Sequence, residues 1–280
     1  MLQSAFERMI AGTPRSAVPS RWGIFHCVCL FLVAVLIAAA AVFRKRLPRG
    51  EKNVSRILLA AGIVFILLET GKQILCSFDA EAGVWRYDFS RFPFQFCSLP
   101  IWLCPIGAFC GEKSRGRICA FLASYGLFAG GAVLIWPSGG VFSEIVFLNF
   151  HTMIWHGLMV LLGAYLWLSE TVTPSLRDLA GAVIVYLPQC PVAALLNEAG
   201  HRLGLPLDLF HFSPYFQTDT PLLSAVQKAG ANGFVMMLSF MAVFGLLGAS
   251  VFAAAALIRL LFTKTKSKNT NADFSPEDKK

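Results

Sequence analysis

The stretch Arg91-Phe-Pro-Phe-Gln-Phe-Cys-Ser-Leu-Pro-Ile-Trp-Leu-Cys-Pro105 decides the class of this chain, because it is apolar and aromatic enough to enter a membrane. It also carries Gln95 and Cys97, with Pro100 shortly after the cysteine. Proline has no N–H group, so Pro100 leaves the carbonyl of Phe96 without its helical donor. We interpret the stretch as the start of a transmembrane helix that places a cysteine near one face of the bilayer.

The composition of the whole chain predicts an all-α polytopic membrane protein. Of its 280 residues, 56% are hydrophobic and only 14% are charged, and the mean hydropathy is +0.63. Repeated apolar runs of near 20 residues are typical of membrane-spanning helices. The net charge of +8 lies mostly in short loops at the ends of those runs. Such charges act as topology signals and contacts to lipid headgroups, so no nucleic acid is expected as a partner.

Seven apolar runs predict a seven-transmembrane-helix bundle. The predicted spans are 24–43, 57–78, 93–111, 118–136, 144–168, 176–196 and 234–262. The bundle, residues 24–262, lies between an N-terminal tail, 1–23, and a disordered C-terminal tail, 263–280. Segment 197–230 is interpreted as extracytoplasmic and as a candidate lid over a cavity. The fourth span is rich in Gly and Ala, which favours close packing on its neighbours.

The distribution of Lys and Arg predicts the topology. Most of the 24 Lys and Arg residues lie in loops 1, 3 and 5 and in the C-terminal tail. Since cytoplasmic loops carry the excess of positive residues, the N-terminus is predicted outside and the C-terminus in the cytoplasm.

Two charged residues lie inside the second predicted span, where charge is costly. Glu69 and Lys72 are three residues apart, on one helical face, and are predicted to pair with each other. Two interpretations stay open, because a buried pair serves structure as well as function: an ion pair that locks the bundle, or part of a functional site.

The fifth predicted span carries a second set of polar residues. Asn149, Thr152 and His156 follow one another at spacings that place them on one helical face. His156 is the deeper of two histidines, and His151, nearer the outer surface, is predicted to be an interfacial or packing residue.

Depth in the membrane brings these groups together as a candidate site. At a rise of about 1.5 Å per residue, Cys97 lies on the order of 6–9 Å below the outer boundary. Lys72 lies at a similar depth, and Glu69 and His156 lie nearer the middle. A cysteine attacks as its thiolate and needs a base or a cation nearby, for which His156 and Lys72 are the candidates. Such a pair suits acyl transfer or ester hydrolysis on a lipid through an acyl-enzyme, whereas the spacing of Cys97 alone favours an inert buried thiol.

Four short motifs resemble one known family. They are Leu68-Glu-Thr-Gly-Lys-Gln73, Phe92-Pro-Phe-Gln-Phe-Cys97, Gly131-Ala-Val-Leu-Ile-Trp-Pro137 and Ile154-Trp-His-Gly-Leu158. Together they resemble the YwaF-like family of bacterial integral membrane proteins, and they are similar to its animal relatives, transmembrane acyltransferases linked to ether-phospholipid remodelling. The chain departs from the family pattern at Gln95, where the family has histidine, and in a lysine spacing shifted by one.

The resemblance implies a seven-span fold, with Cys97 as the acyl-carrying nucleophile and His156 as its partner. It implies membrane lipids as substrates and a multi-pass protein of the bacterial cytoplasmic membrane. Glu69, Lys72, Gln95, Asn149 and Thr152 are then supporting polar residues. No cofactor is expected, and the eight cysteines and five histidines show no spacing typical of a metal site.

The main alternative is a transporter or binding protein in which Glu69, Lys72 and His156 line a polar site in the bundle. No internal repeat of the kind that marks many transporters is visible in the sequence.

Overall fold

The computed structural model describes residues 2–79, 82–138 and 140–272 and is mainly helical. The helices are α1 Leu2–Ala11, α2 Ile24–Val42, α3 Glu51–Ser77, α4 Pro100–Phe109, α5 Glu112–Phe121, α6 Leu127–Ile135, α7 Val146–Leu168, α8 Leu176–Tyr186, α9 Gln189–Arg202, α10 Pro221–Lys228 and α11 Gly233–Ala272. A π-helical turn, Leu122–Gly126, joins α5 to α6. Strands β1 Phe78–Asp79 and β2 Val84–Trp85 pair antiparallel after α3.

Six helices in the described part of the chain are long and apolar enough to cross a membrane, judged by length and composition. They are Ile24–Val42, Glu51–Ser77, Glu112–Ile135, Val146–Leu168, Leu176–Arg202 and Gly233–Leu261. An integral, multi-pass, helical membrane protein is thereby confirmed. Helix α11 continues past the predicted end of the last span to Ala272, and residues 273–280 of the predicted disordered tail lie outside the described residues.

The third predicted span differs most from its prediction. No helix begins at residue 93; a 3-10 turn, Phe96–Ser98, precedes α4, which begins at Pro100. Proline at the first position of a helix loses no hydrogen bond, and its fixed φ suits the first turn. Pro100 thus starts a new helix rather than distorting one already formed, and the apolar helical segment Phe96–Phe109 is shorter than the six long helices.

The loops fall into two groups at opposite ends of the bundle. At the outer end, the N-terminal segment is hydrogen-bonded to later loops. Ser16 N donates to Glu144 O at 2.8 Å, Val146 N donates to Pro14 O at 3.0 Å, and Trp85 Nε1 donates to Glu7 Oε1 at 3.2 Å. At the inner end, Arg49 pairs with Glu170 at 3.2 Å, and Arg115 pairs with Glu51 at 3.6 Å. Tyr165 Oη donates to Pro48 O at 2.8 Å. We call these groups outer and inner after the predicted topology.

The segment containing α4 runs from one end to the other. Gln95, before it, bonds to Asp208 in the outer loops, and the carbonyl of Cys110, after it, accepts from Arg115 at 2.6 Å at the inner end. The chain therefore passes through the bundle here although α4 is short. The count of seven membrane spans and the side of each terminus stay predictions.

The helices pack most closely at glycine positions, as predicted from the Gly- and Ala-rich fourth span. A Cβ atom added at Gly130 would lie 2.8 Å from Met159 Cβ, and one at Gly163 would lie 2.7 Å from Leu127 Cβ. Both contacts join α6 to α7. Small residues let the two backbones approach closely, and close packing is the main attraction between helices in lipid.

Helix α11 packs against the π-helical turn by the same means. The ring of Tyr125 lies against Gly248, where an added Cβ would come within 2.3 Å of Tyr125 Cε1. Tyr125 is fully buried and stacks on Tyr186 at 4.6 Å, so it has little freedom to move aside.

We predict that Gly248→Ala destabilises the fold by about 1–3 kcal/mol, because the methyl group overpacks this contact. Gly245→Ala is the matched control, since an added Cβ there meets Tyr186 at an ordinary 3.9 Å. Thermal unfolding in detergent should show a lower Tm for Gly248→Ala alone. Equal Tm values for the two variants would contradict the packing described.

Candidate functional site

Two amide side chains hold the backbone of the late outer segment in place. Gln95 donates from Nε2 to Asp208 O at 2.7 Å, and its Oε1 accepts from Phe210 N at 2.9 Å. Asn197 pairs with both backbone groups of Leu209, at 3.1 and 2.7 Å. We call Gln95 and Asn197 the amide clamp. It holds a strained backbone, because Phe210 has a φ of +61°, which side chains other than glycine rarely adopt.

The clamp fixes the part of the segment predicted as a lid that lies nearest to Cys97. Leu207, Leu209, Phe210 and Phe212 are buried in the core. Gln95, predicted as a supporting polar residue, therefore acts on the backbone of this segment.

Cys97 lies in the turn directly after the clamp, and its neighbours fix it on two sides. Phe96 is buried among six aromatic rings, and the indole of Trp155 in α7 donates to Cys97 O at 2.9 Å. The side chain of Cys97 is half-buried, and the thiol is free. This indole bond ties the turn to the helix that carries His156.

His156 has one nitrogen bonded and one free. Its Nδ1 lies 2.8 Å from Thr152 O, and its buried Nε2 has no hydrogen-bond partner among the described residues. A carbonyl accepts only, so Nδ1 carries the proton and Nε2 presents a lone pair. Nε2 makes no hydrogen bond with the Cys97 thiol, and Thr152 takes part through its backbone carbonyl.

The predicted Glu69–Lys72 pair is present, with Glu69 buried and Lys72 half-buried. Lys72 Nζ lies 2.7 Å from Glu69 Oε1, which also accepts from Gln73 Nε2 at 2.6 Å. Gln73 Nε2 donates as well to Arg91 O at 2.8 Å and so connects the pair to the outer loop. Nearby, Gly71 lets α3 approach α7, since an added Cβ would lie 2.7 Å from Phe147 Cζ.

His151 is the residue near this pair that the sequence argument passed over. It is buried rather than interfacial, and its Nε2 lies 4.0 Å from Glu69 Oε2. Its ring stacks on Trp155 with centroids 5.2 Å apart. Two features of the sequence indicate a buried His151. A buried acid such as Glu69 needs further hydrogen-bond donors. In addition, Phe147, His151 and Trp155 form an aromatic stripe at a spacing of four residues.

Asn149 lies apart from these groups. Its side chain pairs with both backbone groups of Ser143, each at 2.8 Å, and so fixes the loop before α7. The shared polar face predicted for Asn149, Thr152 and His156 does not act as one unit, because the side chain of Asn149 is fully used by that loop.

A cavity of about 360 Å³ opens at the outer end above the polar groups. It is lined by Arg15, Leu75, Cys76, Asp88, Arg91, Ser143, Glu144, Ile145 and Leu148. Beside it in the outer loop, burial, followed by the charges of Glu69 and Asp88, raises the pKa of Tyr87. Its phenol therefore stays neutral at physiological pH and keeps its proton for donation.

The structure brings most of the predicted site residues into one region. Lys72 pairs with Glu69, and His151 faces the other oxygen of that carboxylate. Trp155 joins the turn of Cys97 to the helix that carries His156. Among the described residues, no group of three or more His, Cys, Asp or Glu could hold a metal ion. The region is thus a polar interior on the outer side of a helical bundle, with a thiol, two histidines and a largely buried ion pair.

These features define a polytopic helical membrane protein with polar chemistry inside its bundle. The chain belongs to the TMEM164 family, whose family model matches residues 20–203. That match includes Glu69, Cys97 and His156 and ends just after the clamp residue Asn197. No curated protein and no solved structure matches the chain. The narrower resemblance to YwaF-like proteins and the link to acyltransferases stay predictions.

We predict that Gln95→Leu destabilises the protein by about 2–4 kcal/mol, because two backbone groups lose their partners. Gln189→Leu is the control, since its amide makes only a 3.4 Å contact with Val185 O. Thermal unfolding of both variants in detergent checks the prediction. A Gln95→Leu protein as stable as the control would show that the clamp does not hold the segment.

Proposed function

We propose that this protein transfers or hydrolyses acyl groups of membrane lipids, with Cys97 as the nucleophile and His156 as its base. The observation that carries the proposal is the state of His156. A histidine with Nδ1 held by a carbonyl and Nε2 buried without a partner is arranged to accept a proton. In the family resemblance, the same two residues carry the acyl transfer.

The proposed first step is attack of the Cys97 sulfur on the carbonyl carbon of a lipid ester. The thiol proton passes to His156 Nε2, the C–O bond of the ester breaks, and the proton then goes to the leaving oxygen. A thioester remains on Cys97, which water or a second lipid hydroxyl resolves. Lys72, within electrostatic range, stabilises the thiolate.

The missing Cys97–His156 hydrogen bond is compatible with this role. Catalytic hydrogen bonds are often long in the absence of substrate and shorten only when it binds. The indole bond from Trp155 to Cys97 O holds the turn that carries Cys97 against α7, the helix that carries His156.

A second candidate function is transport through a polar site in the bundle. The observation that favours it is the unpaired Glu69 Oε2 facing His151, since buried ionisable groups mark many ion and proton pathways. Uptake into proteoliposomes that depends on a proton gradient and survives Cys97→Ala would favour transport over acyl transfer.

We predict that Cys97→Ala abolishes lipid turnover and that His156→Phe lowers it by at least about 10²-fold, the usual contribution of a general base. Turnover of a labelled phospholipid in detergent micelles measures both. Cys110→Ala, a half-buried thiol at the inner end, is the control and should retain activity. Turnover by Cys97→Ala equal to that of the parent would remove the nucleophile assignment.

We also propose a bacterial cytoplasmic membrane location with the N-terminus outside. A fluorescent reporter that matures only in the cytoplasm should be bright when fused after residue 280 and dark when fused before residue 1. Cytoplasmic fluorescence from the N-terminal fusion would reverse the topology and place the cavity on the inner side.

A further inference from the structure

Two buried polar atoms face each other across a gap with no partner of their own. Glu69 Oε2 and His151 Nε2 are 4.0 Å apart, and their side chains are 5% and 8% exposed. Neither atom has a hydrogen-bond partner among the described residues. The separation is too long for a hydrogen bond but suits one small group bonded to both atoms.

The chemistry of the two atoms selects that group. The other oxygen of Glu69 accepts from Lys72 and Gln73, and a carboxylate oxygen such as Oε2 is an acceptor. His151 Nε2, when protonated in the neutral ring, donates. A hydroxyl both donates and accepts, so it satisfies both atoms at once. The Lys72 ammonium disfavours a metal cation there, and Glu69 disfavours an anion.

We propose that Glu69 and His151 form the binding subsite for a hydroxyl group of a lipid ligand. This inference rests on the proposed function and deepens it, because acyl transfer between lipids needs a place for the hydroxyl that leaves or receives the acyl group. The subsite binds the hydroxyl through two hydrogen bonds: Glu69 Oε2 accepts one from its O–H group, and His151 Nε2 donates the other to its oxygen.

The outer cavity lies one helical turn from this subsite. Cys76 and Leu148 line the cavity, and they lie one helical turn from Gln73 and His151 respectively. Gln73 connects the cavity wall at Arg91 to Glu69. In the proposed complex, the lipid hydroxyl lies at the Glu69–His151 gap and the polar headgroup lies among the charged residues of the cavity.

A matched pair of probes tests the subsite without catalysis. One is a monoacylglycerophospholipid with a free 2-hydroxyl, and the other is its 2-deoxy counterpart. We expect the parent to bind the deoxy lipid at least about tenfold more weakly, because its buried polar atoms stay unpaired. Titration calorimetry in detergent measures both affinities.

Two variants of His151 separate hydrogen bonding from packing. His151→Phe keeps a ring to stack on Trp155 but has no nitrogen, and it should bind both lipids equally. His151→Gln restores an N–H donor and should recover part of the preference. His211→Asn is the control, since His211 is an exposed histidine with a φ of +55° that asparagine tolerates. It should keep the full preference.

The subsite is overturned if the parent binds both lipids equally, which is also the result expected if only water occupies the gap. It is overturned as well if His151→Phe keeps the preference. If His151→Phe does not fold, the lipid preferences of the parent and of His151→Gln test the subsite. Cys97→Ala should keep the preference, so a hydroxyl preference combined with full turnover by Cys97→Ala refutes the nucleophile and leaves the subsite standing.

Discussion

The packing of Phe96 is the constraint on which the rest of the structure depends. Its ring contacts six others, from Phe121, Tyr125, Tyr186, Phe210, Phe240 and Phe244, with centroids 5.1 to 6.4 Å away. These rings come from the π-helical turn and its flank, α8, the late outer segment and α11. One side chain therefore brings four parts of the chain together. Its sequence neighbours, Gln95 and Cys97, are placed by the same contact, one at the clamp and the other beside Trp155.

Burial of the Glu69–Lys72 pair explains why the interior beside this cluster is polar. Removing two charges from water is costly, and their attraction offsets that cost only if the remaining lone pairs and protons are also bonded. Gln73 donates to Glu69 Oε1 and so meets part of this need. Glu69 Oε2 and His151 Nε2 have no hydrogen-bond partner among the described residues. A group left incompletely bonded within an otherwise tightly packed bundle is what a ligand site requires and what a purely structural ion pair would avoid.

The sequence was sufficient for the class of fold, because apolar length and charge at loop ends follow from the bilayer itself. It failed where local chemistry competes with apolar length. Residues 93–111 are apolar enough for a span, but Pro100 begins a helix of its own and the Gln95 side chain bonds to a distant backbone. That partner lies more than one hundred residues later in the chain, and no spacing rule could reveal it.

The same limit explains why the approach of His151 to Glu69 was not predicted. Counted inward from the predicted boundaries at residues 78 and 144, Glu69 is nine residues deep, His151 seven and His156 twelve. In depth, His151 is thus the closer match to Glu69. The polar face shared with Asn149 instead favoured His156 as the site residue. In the structure Asn149 lies in α7 but its side chain bonds to the loop before that helix, so the two histidines have separate surroundings. His156 bonds within its own helix, and His151 lies against Trp155 and Glu69. Two free Nε2 atoms in separate surroundings suit two tasks, one at the thiol and one at a ligand.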